Sequence, residues 1–261
     1  MSFPKSNTHY KTVRFIQNDV HDFAWFADKK WLVQKGELSL PSRSDPIALW
    51  SFYLPKNAEL WRNSIEYLHD SGYWFSKYYG DYPYNHITAV DGDLSAGGGM
   101  EYPNITVIAS MPSKHLLELV IMHEVGHNWF YGILGSNERE NAWMDEGLNS
   151  FNETRYLMEY YEGKDLGLIR NRIPQSLIDR FDLGDFEYRW IDELSYLLPA
   201  RLGADQPLQC HSDAFSSMNY GAMVYKKTAA VMGFMKQYLG EEEFDKAMRT
   251  YFQDWKFKHP S

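Results

Sequence analysis

Two histidines, the glutamate beside the first of them and a second glutamate downstream carry the most chemical information in this 261-residue chain. His123-Glu124-Val125-Gly126-His127 is followed, after eighteen intervening residues, by Glu146 in Trp143-Met144-Asp145-Glu146-Gly147. On a helix, residues four apart lie on one face, so His123 and His127 can hold one metal ion between them. Glu124 lies about 100° round the axis from His123. It is poorly aimed as a third ligand but well placed to take a proton from a water beside that ion. This is the H-E-x-x-H spacing. A catalytic zinc takes three protein ligands and keeps one position open, and Glu146 is the candidate third.

The elements that must position these groups are partly readable. Leu116, Leu117, Leu119, Val120, Ile121 and Met122 run into the motif, as in a helix buried on most sides. Two histidines and a glutamate there are costly unless a metal or polar partners satisfy them. The competing reading is a pair of hydrogen-bonded core histidines with an ion-paired glutamate. The pattern predicts a ligand helix from Ser113, as N-cap, to Leu134, ending near Gly135. A second helix over residues 143–161 carries Glu146 and ends near Gly163.

Upstream, Gly97-Gly98-Gly99-Met100-Glu101-Tyr102-Pro103 precedes Asn104-Ile105-Thr106-Val107-Ile108-Ala109, a β-branched, apolar stretch that reads as a strand. Gly97, Gly98 and Gly99 leave backbone open to close approach. An extended peptide could add to that strand edge, with the Glu101 carboxylate at one end to meet a free ammonium group. A flexible turn with a solvated glutamate is the plainer alternative.

Taken together, these segments resemble the aminopeptidase N-type zinc metallopeptidases, a branch of the gluzincins. That family has a G-x-M-E-N-type segment shortly before H-E-x-x-H, eighteen residues and E. The metal signature is intact here at His123, Glu124, His127 and Glu146. Tyr102 stands where the family usually has Asn. Tyr225-Lys226-Lys227-Thr228-Ala229 resembles the family's Y-x-K-G-A segment, with Thr228 in place of glycine. The resemblance implies that Tyr225 stabilises the tetrahedral intermediate, with Tyr220 the competitor for that role. Residues 18–25 resemble the family's hand-over from a β-rich N-terminal domain, and 255–260 the exit from its catalytic domain. The resemblance therefore implies an α+β, mostly helical, thermolysin-like catalytic domain with a small sheet over residues 23–261. Residues 1–22 would be a linker or the end of a missing domain, and adjoining domains would lie outside this chain. It implies one zinc ion held by His123, His127 and Glu146, and Glu124 as general base. Glu101, with Gly98, Gly99 and Met100, would bind peptide substrates with a free amino terminus. The rivals are an endopeptidase and a lipid epoxide hydrolase using the same site, or a peptide-binding domain with a dead site.

Composition limits the rest. A hydrophobic fraction of 44%, with 15 Phe, 9 Trp and 19 Tyr, supplies a sizeable core. A net charge of −9 argues against nucleic acid. Cys210 is the single cysteine, so no internal disulfide framework exists. No apolar run reaches the ~20 residues that span a bilayer. Met1 to Tyr10 lacks a signal-peptide core, so the expectation is a soluble chain of unknown compartment. Residues 57–79 read as a helix capped by Asn57 and stopped at Gly80. Turns are expected at Gly36 and at Pro41 to Pro46, and strands near 86–90 and 104–109. Residues 165–182 read as helical with a kink at Pro174, Trp190 to Leu198 as a helical turn in an otherwise loop-like 184–220, and 222–239 and 241–255 as helices. Asn104-Ile105-Thr106 and Asn152-Glu153-Thr154 match the glycosylation pattern.

Overall fold

The computed structural model describes residues 9–10, 12–95, 97–162, 174–181 and 186–261. Its sheet has five strands: β1 (Leu32–Leu38), β2 (Ile47–Tyr53), β3 (His86–Asp91), β4 (Gly99–Met100) and β5 (Ile105–Ile108). The order across it is β1-β2-β3-β5-β4. β1 and β2 form an antiparallel hairpin around the expected turn at 41–46, with Leu38 opposite Ile47. Gly36 does not turn the chain. It lies inside β1 opposite Leu49, where its missing side chain admits Ile65. β2, β3 and β5 are parallel to one another, and β4 returns antiparallel along β5 as the outer strand.

The crossover from β2 to β3 is α1 (Ser64–Tyr78). It starts seven residues later than the spacing suggests. Asn57 does not cap it, because its amide donates to both oxygens of Asp91 at 3.0 and 2.8 Å. Pro55–Asn57 instead form a 3-10 turn. Ile47, Leu49, Ser51 and Tyr53 alternate into the core, as a strand with one buried face must.

α2 (Lys114–Gly126) is capped by the Ser113 hydroxyl, which accepts from Leu116 N at 3.2 Å. Leu117, Leu119, Ile121, Met122 and Val125 are buried on several sides of it. The helix ends at Gly126, eight residues short of the expected Leu134. Beyond it the chain makes wide turns: Gly132 N, Ile133 N and Leu134 N donate to His127, Asn128 and Trp129 carbonyls. Tyr131 has φ of +117°, which no helix accommodates. The apolar run 129–134 is buried without being helical, with Trp129 against Phe75 and Phe130 against Tyr79 at ring separations of 5.2 and 5.0 Å.

α3 (Glu146–Tyr160) follows a 3-10 turn, Ala142–Met144. Then come α4 (Gln175–Arg180), which begins after Pro174 rather than kinking there, α5 (Arg189–Arg201) and α6 (Ser217–Asn219). The remainder of the helix expected over 165–182 falls largely on 165–173, outside the described residues. α5 runs for 13 residues, longer than the turn expected. Tyr220–Lys227 form a π-helical segment leading into α7 (Thr228–Leu239), and α8 (Glu241–Trp255) closes the fold. Buried Arg155 ties α3 to α1 by stacking on Tyr78 and to α8 by pairing with Asp245 at 2.7 Å. Both glycosylation-pattern asparagines are buried and engaged: Asn104 Oδ1 accepts from Tyr82, and Asn152 Oδ1 from Tyr79. Among the described residues, no helix is long and apolar enough to cross a membrane.

Candidate metal centre

His123 sits in the last turn of α2 and His127 one turn on, as its C-cap in helical conformation. Their side chains therefore share a face. Each imidazole is held by its Nδ1. His127 Nδ1 meets the Phe130 carbonyl at 3.0 Å, and His123 Nδ1 faces a Glu153 oxygen at 3.4 Å. A carbonyl can only accept, so His127 Nδ1 carries the proton and Nε2 keeps its lone pair. The Glu153 carboxylate imposes the same tautomer on His123.

Those free nitrogens point at one another. His123 Nε2 and His127 Nε2 are 3.1 Å apart, and Glu146 Oε2 lies 2.9 Å from the first and 3.3 Å from the second. With both Nε2 atoms unprotonated, three lone pairs converge, which is repulsive unless a cation, either a metal ion or a proton shared with Glu146, fills the centre. A tetrahedral ion with bonds of about 2.0–2.1 Å spaces its donors by roughly 3.3 Å. The donor set and spacing fit zinc. Burial opposes charge on both imidazoles, yet the Glu146 carboxylate, with Glu153 for His123, outweighs it and holds both above the usual histidine range. Burial likewise opposes charge on Glu146, but the imidazoles hold its carboxyl far below the usual range.

Glu146 opens α3, where the Asp145 side chain accepts its backbone N–H at 2.7 Å. The Asn149 amide, one turn on, donates to the His123 carbonyl and clamps α3 to α2. The helices approach closely because Gly126 has no side chain. A Cβ there would overlap the Asn149 amide oxygen and the Phe75 ring.

Glu124 points to the sheet side. Its Oε2 is buried without a partner, and burial pushes its carboxyl up to about 7 against the pull of both imidazoles. Gly99 on β4 lies directly over this carboxylate, so closely that any Cβ would collide with it. Gly98 spends its carbonyl on Ala109 N at 2.9 Å, and Met100 spends its carbonyl on the Thr106 hydroxyl at 2.9 Å. Glu101 follows them, and oxygens of Glu101 and Glu124 gather with a His127 nitrogen within 4.8 Å of one another. Among the described residues, that set and His123, His127 and Glu146 are the groups able to hold a metal.

Tyr225 lies in the π-helical segment. Its ring stacks on His123 with centroids 6.0 Å apart, which sets it beside the candidate metal donors. Burial and the Glu146 carboxylate push that phenol well above its usual range. Tyr220 packs edge-on to Tyr225 at 6.0 Å, one ring removed from His123. The structure brings His123, His127 and Glu146 together, with Glu101, Glu124 and Gly99 on one side and Tyr225 against His123; Gly98 and Met100 instead make bonds to Ala109 and Thr106. Sequence reasoning passed over Glu153. Glu153 lies seven residues, two helical turns, beyond Glu146 on the same face, a spacing that could have flagged it.

The family model described as the Peptidase family M1 domain matches residues 70–260. The chain belongs to peptidase family M1. Relatives of this M1 chain include "Probable aminopeptidase 2" of Sulfurisphaera tokodaii, 23% identical over 204 residues, covering 75% of this chain and 23% of the relative. "Aminopeptidase N" of Lactococcus lactis is 22% identical and covers 76% of this chain and 23% of the relative. The chain thus spans about a quarter of the length of these relatives. The M1 zinc metallopeptidase of Deinococcus radiodurans superposes with a TM-score of 0.59 at 16% identity, over 88% of this chain and 46% of that one. At that identity the likeness shows the fold.

Proposed function

We propose that this M1 chain is the thermolysin-like catalytic domain, residues 23–261, of a zinc aminopeptidase that removes single residues from peptides with a free amino terminus. Residues 1–22 would lead in from an adjoining domain. The observation that carries the reading is the meeting of a three-donor metal set with Glu124 and Glu101 in one cleft. The aminopeptidase relatives support the same reading.

His123, His127 and Glu146 would hold the zinc, which supplies Lewis acidity and makes water a stronger acid. Glu124 holds the proton taken from the attacking water and later passes it to the leaving amine; its burial suits it to exchange protons near neutrality. The Tyr225 hydroxyl, on the opposite wall, donates to the oxyanion that develops on the scissile carbonyl. β4 is the outer strand, and antiparallel alternation turns the Gly99 backbone groups away from β5. An extended substrate can pair there. Glu101 then meets its ammonium group and sets the cut one residue in. An endopeptidase would need no such anchor.

The test compares an aminoacyl anilide with its N-acetylated form, using zinc-loaded protein. The free-amine substrate should turn over and the blocked one should not; preference for the blocked substrate defeats the assignment. Glu124→Gln should keep zinc, by elemental analysis, and lose turnover.

A further inference from the structure

Asp192, on α5, is a buried carboxylate that the mechanism above does not use; it is 2% exposed. It joins two elements of the site. Lys226 Nζ donates to its Oδ1 at 2.8 Å, and the Thr154 hydroxyl donates to its Oδ2 at 2.5 Å. Lys226 follows Tyr225 in the π-helical segment, and Thr154 follows Glu153 on α3. Consecutive residues on a helix point about 100° apart. One stretch of backbone can therefore present Tyr225 to His123 and Lys226 to Asp192. Burial pushes the Asp192 carboxyl above its ordinary value, although Lys226 and Thr154 pull it down.

A separate contact bears on the same segment. A Cβ on Gly147, the residue after Glu146, would overlap Val224 O and the Thr228 side chain. Val224 and Thr228 lie on either side of Tyr225 in the chain. The π-helical segment is thus pressed against the first turn of α3 at Gly147 and tied to α3 again through Asp192. π-Helices are rare and mostly single-turn bulges. A winding of eight residues needs support from outside, and the tie comes from the residue next to Tyr225.

We propose that Asp192 is a positioning residue for Tyr225, holding its ring against His123 through Lys226, with Thr154 as the fixed point on α3. The proposal rests on the reading of Tyr225 as the oxyanion donor and deepens it. Such a donor acts only from hydrogen-bond distance of the place where charge develops. A misplacement of about 1 Å costs up to about 10²-fold in rate. Because that hydrogen bond is made in the transition state, loss of the tie lowers kcat and spares KM.

The test uses zinc-loaded protein and leucine p-nitroanilide, with Asp192→Asn, Tyr225→Phe and the double variant. Asp192→Asn should lower kcat about tenfold or more and change KM by less than about twofold. In the Tyr225→Phe background the same substitution should lower kcat by less than about twofold, because the hydroxyl it positions is already gone. Zinc affinity, by competition against a chromophoric chelator, should be the same in wild type and Asp192→Asn. Lys226→Met should repeat the loss in kcat, and Lys226→Arg, which keeps the charge, should recover most of it. Equal losses in both backgrounds, unchanged kcat in Asp192→Asn, or a fall in zinc affinity as large as the fall in kcat would overturn the proposal and leave the Tyr225 assignment standing. Unchanged kcat in Tyr225→Phe defeats that assignment, and this proposal with it. If wild type cleaves only the N-acetylated anilide, the aminopeptidase reading fails, and the same cycle on that substrate decides the role of Asp192. Should Asp192→Asn fail to fold, Lys226→Met in the two backgrounds decides by the same criterion.

Discussion

His123 and His127 expose Nε2 because each commits its Nδ1 to a different partner, and the partners differ in what their loss would do. Phe130 O is backbone and survives any substitution. Glu153 is a side chain, 3.4 Å from His123 Nδ1. Glu153→Ala should free the His123 ring to turn, weakening zinc binding by about 10–100-fold; competition against a chromophoric chelator measures it. The two tyrosines separate in the same way. Tyr225→Phe removes the hydroxyl of the ring stacked on His123 and should lower kcat by about 10²–10³, with KM little changed. Tyr220→Phe should lower it by less than about tenfold. A larger loss at Tyr220 than at Tyr225 would reverse the assignment. The metal trio was legible in the sequence because helical spacing alone brings two imidazoles to one face, and few other carboxylates share so specific a distance from them. Glu153 was not legible. A glutamate on a helix or in a polar turn is ordinarily solvated, and only the folded chain shows which side it faces.

Helix contacts set the geometry of the centre more than helix lengths do. α2 and α3 close on each other at Gly126, where the Phe75 ring of α1 also enters. Gly126→Ala should overpack this three-helix junction and destabilise the chain by roughly 1–3 kcal/mol, read as a lower urea midpoint with unchanged slope. Side-chain competition explains where sequence patterns misjudged boundaries. Asn57 looked like a cap until Asp91 claimed its amide. Residues 129–134 look helical by hydrophobicity, yet Asn128 bends its side chain back to Val125 O at 2.9 Å while its own oxygen accepts from Asn104 N at 2.8 Å. That pair of bonds ties the helix exit to the start of β5. Hydrophobic runs report burial, and these runs are buried; they do not report which backbone bonds accompany it. The π-helical wrap of Tyr220–Lys227 is invisible to a 3.6-residue pattern for the same reason.

Across the whole molecule, the sheet and the helical side each supply one wall of the cleft, and the metal donors join α2 to α3. Zinc binding should therefore stabilise the folded chain. At metal a thousand times above its dissociation constant the gain is about 4 kcal/mol, which for a chain of this size is roughly 10 °C in Tm. Calorimetry with and without a chelator checks this, and Glu124→Gln should show the full shift because Glu124 is not one of the three donors. Composition made the broad class legible: an aromatic-rich core and a mixed pattern of strands and helices, without any hint of sheet order. Strand order depends on which edges meet after the chain has crossed over itself, and no local stretch encodes that. The far end of the chain adds one practical lesson. Phe257 N donates to Ile133 O at 2.7 Å, Gly135 N to Lys258 O at 3.0 Å, and His259 Nδ1 meets Gly135 O at 2.9 Å. Those clasps fasten the final residues to the bend that leaves the ligand helix and supports Tyr131. Shortening an expressed version by even six residues from its tail would unbuckle that bend, and an inactive preparation would then reflect the cut rather than the chemistry.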